Sequence, residues 1–215
     1  MKKVFILMVP FVFVLGFLFN NTVDASFGLS QDSRMIENQK EMYKQELANL
    51  SFEEVISNFE RIHNEYNIGE VFSLKDQVFV EMYAKKANSP GVSLFAVKSI
   101  SGSRTVNGVT VKVNGEIKDD IQNLLAQSFG ASNLKTSTTA GASKVSSVET
   151  AVYHDAYGLV GSEGIGKVYS GSISTSGLNT TLTATKNYTG IVAYAVTWCT
   201  VTVNHSGGTF TINPN

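Results

Sequence analysis

Ile191-Val-Ala-Tyr-Ala-Val-Thr-Trp-Cys-Thr-Val-Thr-Val-Asn204 changes character at its middle. Side chains alternate between faces along a strand. Val192, Tyr194, Val196 and Trp198 share one face, and Ile191, Ala193 and Ala195 share the other. Two apolar faces predict a central strand covered on both sides. Beyond Trp198 one face turns to Thr200, Thr202 and Asn204, while Cys199, Val201 and Val203 stay apolar. That half is expected to keep one wet face. Residues 205–208 turn the chain, and 209–212 are expected to pair back as an edge strand.

Upstream, residues 148–159, 167–175 and 178–185 read as further strands, separated by Gly161, Gly164, Gly166 and Ser176-Gly177. Short strands with glycine turns predict an antiparallel sandwich or open barrel over 148–215. Charge is scarce there. From Gly130 on, only Lys135, Lys144, Lys167 and Lys186 stand against Glu149, Asp155 and Glu163, whereas residues 26–129 hold 11 basic and 14 acidic side chains. The change predicts two structural regions, 26–130 and 148–215. Residues 131–147 are Ser, Thr, Ala and Gly with few apolar anchors, which reads as a linker or long surface loop.

The first region is helical at its start. Residues 31–48 place Met35, Met42 and Leu47 at helical spacing. A stronger helix comes next, with Ser51 as N-cap and Glu54 completing a capping box. Phe52, Val55, Ile56, Phe59, Ile62 and Tyr66 draw its apolar stripe, and Gly69 is its expected stop. Residues 78–83 and 92–100 read as strands around a Pro90-Gly91 turn. Residues 109–113 read as a half-buried strand between the tight-turn pairs Asn107-Gly108 and Asn114-Gly115. Ile117, Ile121, Leu124, Leu125 and Phe129 read as a short amphipathic helix. The fold class is therefore α+β: N-terminal amphipathic helices packed on a small sheet, then a β-rich antiparallel C-terminal region.

Lys2-Lys3, the apolar run over 4–19 and Val23-Asp24-Ala25 form an expected signal peptide over residues 1–25, cleaved after Ala25. The run is shorter than the ~20 residues that cross a bilayer, so no stable transmembrane span is expected after cleavage. The short basic start and Phe/Val core read as bacterial. The exported chain carries 15 basic against 17 acidic residues, no field for nucleic acid. A lone cysteine excludes a disulfide framework.

Catalytic candidates are few. His154 and Asp155 are the residue types of acid–base chemistry. As neighbours on one strand they face opposite sides and cannot pair with each other. Glu163, in the glycine turn 161–166, is the better carboxylate partner for His154. That turn lacks the helix that a phosphate loop requires after it. Cys199 reads as a small buried hydrophobe. His63, His154 and His205 lack metal-ligand spacing, and no cofactor is expected.

Thr181, Thr183 and Thr185 line one side of a strand whose other side carries Leu182 and Ala184. An uncharged Ser/Thr-rich β face of this kind suits contact with a protein or a surface glycan or polymer. The expected function is that of a secreted, non-enzymatic binding protein. The alternatives are a secreted hydrolase with a dispersed His/carboxylate site and a membrane-active β-strand oligomer.

Overall fold

The computed structural model describes residues 25–87, 96–122, 126–162 and 164–215. The expected leader up to residue 24, the Pro90-Gly91 turn, Leu124, Leu125 and Glu163 lie outside them. The chain divides into two compact units, Met1–Asn38 and Gln39–Asn215. The first contributes only the start of helix α1 (Ala25–Leu47) to the described residues, and every later element belongs to the second.

Helix α2 (Phe52–Glu65) forms as its sequence dictates. The Ser51 hydroxyl accepts from the Glu54 N–H at 3.3 Å, and the Glu54 carboxylate accepts from the Ser51 N–H at 2.7 Å. Its stripe buries Ile56, Phe59 and Ile62. Residues 78–83, expected as a strand, instead lie in helix α3 (Leu74–Tyr83). Ser73 caps this helix, and the buried Asp76 in its first turn anchors it. Arg61, the Tyr66 hydroxyl and the Ser73 hydroxyl all donate to Asp76. Burial pushes the Asp76 carboxyl up, but these three partners outweigh it and hold it below the usual range.

The rest is antiparallel sheet. The strands are β1 (Lys85–Lys86), β2 (Ala96–Val106), β3 (Val109–Asp120), β4 (Gln127–Ala140), β5 (Val145–Val160), β6 (Gly164–Ser176), β7 (Asn179–Tyr188), β8 (Tyr194–His205) and β9 (Gly208–Ile212). Sheet A runs β1-β8-β5-β6, with β9 also paired to β8; sheet B runs β2-β3-β4-β7. Strand β8 is central, as expected, but it begins at Tyr194. Residues 191–193, expected in its doubly apolar half, precede it, and Ile191 is exposed. Strand β9 pairs back on it.

The two sheets face each other across one apolar cluster. Val109, Val111, Val113, Ile117 and Phe129 of sheet B meet Val148, Val152, Cys199, Val201 and Val203 of sheet A. A second cluster seats Leu47, Phe59, Ile62, Val78 and Phe79 of the helices against Tyr157, Ile165, Tyr194 and Val196 of sheet A. The order is thus helices, sheet A, sheet B. The helices pack on the C-terminal strands, not on the strands next to them in sequence.

Three local expectations are corrected. Residues 131–140, expected as linker, form most of β4, whose Leu134 and Thr136 are buried. Strand β7 pairs with β4, so sheet B draws strands from both expected regions. Within the expected helix at 117–129, residues 117–120 end β3 and 127–129 begin β4, while 123–125 lie outside the described residues. Asn107-Gly108 makes its turn, with φ of 51° and 79°, the two positive values of a type I′ hairpin. Asn114-Gly115 does not turn the chain. It marks a register shift against β4, where Gly115 holds φ at 148° with Leu134 Cα only 2.5 Å from where its Cβ would sit.

Candidate functional site

Strand β5 presents His154 and Asp155 to opposite layers. His154 is fully buried between the sheets and stacks on Phe129, ring centroids 4.8 Å apart and planes 7° from parallel. Its Nδ1 lies 2.7 Å from Thr197 Oγ1 and its Nε2 lies 2.8 Å from Tyr188 Oη. The Thr197 hydroxyl donates to Asp119 at 3.2 Å, so its oxygen accepts from His154 Nδ1–H. Nε2 then accepts from the Tyr188 hydroxyl. Burial drives the imidazole down to about 4, in keeping with that neutral tautomer. His154, expected as a catalytic candidate, is thus a structural histidine with both nitrogens engaged.

Asp155 points to the helices and finds a histidine that no local sequence pattern marks as its partner. His63 of α2 places Nδ1 3.0 and 3.1 Å from the two Asp155 oxygens. The carboxylate accepts, so Nδ1 carries the hydrogen. Nε2 makes no hydrogen bond among the described residues. The arrangement is held from below by Lys167, whose ammonium donates to the His63 and Tyr66 carbonyls at 2.7 and 2.6 Å. These are the open carbonyls at the C-terminal end of α2, where a cation is favoured. Burial lowers the Lys167 ammonium, and nearby Asp155 counters the shift.

The His63 side chain is 23% exposed, against 0% for Asp155. It lines a cleft of about 330 Å³ with Glu60, Asn64, Tyr153, Trp198 and Thr200. Tyr153 and Trp198 are register partners on β5 and β8 and stack at 5.3 Å. His63 meets both edge-on, at 5.4 and 5.6 Å. The Thr200 hydroxyl stands 3.1 Å from Glu60 Oε1. A histidine oriented by a buried carboxylate can take and return a proton through its free nitrogen. Ser170 is no nucleophile for it, because its Oγ approaches Nδ1 at 3.4 Å.

The other candidates do not join this cluster. Cys199 is buried on the opposite face of β8, and burial pushes its thiol up to about 12. His205 is buried at the β8–β9 turn, where Nδ1 accepts from the Gly207 N–H at 3.1 Å. Among the described residues, no group of three His, Cys, Asp or Glu side chains could hold a metal ion.

The outer face of sheet B is the second candidate. Register sets Ser103, Lys112, Ser137 and Asn179 in one row, and Ser101, Asn114, Lys135 and Thr181 in the next. Thr181, Thr183 and Thr185 are exposed, while Leu182 is buried. The face is rich in hydroxyls and amides, as expected, but it is not uncharged: Lys112, Lys118 and Lys135 stand on it with Glu116. The bulge at Gly115 and Asn133 opens a shallow depression among Ser99, Asn114, Glu116 and Ser132. Comparison with protein-family models, with curated proteins and with solved structures finds no match.

Proposed function

We propose that the protein is exported and acts by binding a protein or cell-surface polymer through the outer face of sheet B. One observation carries this reading. Four paired strands present an open polar surface whose serines, threonines and asparagines surround three lysines. Short hydroxyl and amide side chains lose little rotamer freedom on contact, and they match the alternating donors and acceptors of a polyol or peptide backbone. The lysines add attraction for an anionic polymer, which makes binding salt-dependent. Co-sedimentation with cell-wall material of the producing organism tests it. The triple change Thr181→Asp, Thr183→Asp, Thr185→Asp is expected to weaken binding about tenfold, an energy of about 1.4 kcal/mol. Gln45→Asp on α1 is expected to leave it unchanged. Equal binding by both variants rejects the reading.

The Asp155–His63 pair favours a second reading, a hydrolase whose His/carboxylate site the fold assembles from distant segments. His63 Nε2 would take a proton from water in the cleft and pass it to the leaving group. Screening ester, peptide and glycan substrates with the wild type and His63→Asn decides it. Turnover lost in the variant establishes hydrolysis, and no turnover by the wild type dismisses it.

A further inference from the structure

Helix α2, sheet A and the edge of sheet B line a half-open cavity of about 240 Å³. Its floor is the buried group Ile56, Phe59, Ile117, Trp198 and Cys199, and Phe52 and Val55 line it at the partly exposed end. Protein interiors leave few voids larger than a water molecule. An engineered apolar cavity of about 150 Å³ takes up benzene, so a half-open space of about 240 Å³ has room for a small apolar group.

Charge enters the lining once. Among the described residues, Lys98 of β2 is the only charged one around the cavity, and it is exposed, with its ammonium 5.2 Å from the centre of the Phe52 ring. Its hydrogen-bond partner is the Asn215 side chain at 3.1 Å, and no carboxylate side chain of a described residue lines the cavity. The Trp198 indole N–H in the wall is buried without a partner among the described residues. The Cys199 thiol on the floor is held protonated by burial and adds no charge. A lining in which Tyr83 and Thr197 stand among apolar side chains, with a single cation at the exposed side, suits an amphipathic ligand. We infer that this cavity binds a small amphipathic carboxylate, its aliphatic or aromatic body against Phe59, Ile117 and Trp198 and its carboxylate at Lys98. The site is separate from the sheet B face and shares Trp198 with the His63 cleft, from which Lys98 distinguishes it.

The molecule carries its own reporter, because Trp198 is its single tryptophan. Bromine quenches indole emission only near contact. Titrating the full protein with 11-bromoundecanoic acid, below the concentration at which that acid forms micelles, is expected to quench Trp198 saturably. Unlabelled undecanoic acid is expected to restore the emission. Lys98→Glu, a change at an exposed position, is expected to weaken the apparent affinity about tenfold. Quenching that stays linear, or none, overturns the site. Equal affinity in Lys98→Glu, or equal affinity for 11-bromo-1-undecanol, overturns the carboxylate assignment.

Discussion

Tyr188 and Thr197 fix His154 in one tautomer, and protonation would break that arrangement. Adding a proton to Nε2 removes the acceptor for the Tyr188 hydroxyl inside the sandwich. The unfolded chain takes up this proton near pH 6.5, while the folded chain resists until about 4. Stability is therefore complete above pH 6.5 and is lost as pH falls from 6.5 toward 4, by about 3 kcal/mol at most for this group. Denaturant unfolding at pH 7 and pH 4.5 checks it. His154→Gln is expected to lose less stability than the wild type over that interval, and an equal loss contradicts the assignment. Lys167 is the other residue whose removal leaves polar groups unanswered. Lys167→Met is expected to cost about 2–4 kcal/mol, read by the same unfolding curves, because two part-buried carbonyls at the end of α2 lose their donor. The alternation of His154 and Asp155 was legible in the sequence, because strand periodicity alone dictates it. Their partners were not. His63 lies 92 residues from Asp155, and Tyr188 lies 34 from His154. Only the stacking of layers brings such pairs together.

Elements were legible where two local signals agree. Helix α2 has both a capping box and an apolar stripe, and β8 has both alternation and a turn after it. Where a pattern satisfies two periods, sequence reading failed. Ile117 and Ile121 are four residues apart, a spacing that suits one helix face and also one strand face. In the fold both are buried on the inner side of sheet B. Residues 131–140 look like linker because Ser and Thr dominate, yet threonine is a good strand former when one face is covered. Residues 78–83 are apolar nearly throughout, which marks burial without choosing between helix and strand; the Ser73 cap decides for helix. The loop between α2 and α3 is pinned to β6 by a bridge from Val71 to Gly166. A Cβ at Gly166 would lie 2.2 Å from the Glu70 carbonyl oxygen. Gly166→Ala is thus expected to destabilise by roughly 2–3 kcal/mol. A thermal midpoint within a degree of wild type contradicts that close approach.

At the scale of residues 39–215, layer order determines what is free to act. Sheet A is covered on one side by helices and on the other by sheet B. Ser101 exchanges backbone hydrogen bonds with Asn215 at 3.1 and 3.2 Å, and Arg104 donates to the Thr211 carbonyl at 2.8 Å. These contacts tie β2 to β9 and to the chain after it, and join the sheets along one side. The outer face of sheet B is left as an open strand surface, and so is the far half of sheet A's helix side, where Glu149, Ser172, Ser174 and Ser176 are exposed. No helix among the described residues is long and apolar enough to cross a membrane. The overall class, helices first and antiparallel sheet after, was legible from charge and periodicity. The layer order was not, because nothing local to the helices names the C-terminal strands as their cover.

Lysine footprinting tests the proposed surface most directly. The protein is acetylated with and without the cell-wall material that sediments with it, and modified residues are read by mass spectrometry. Protection of Lys112, Lys118 and Lys135 with Lys75 unaffected is the predicted result. Protection of Lys75 while those three react freely would contradict it, because contact would then fall on the helical side.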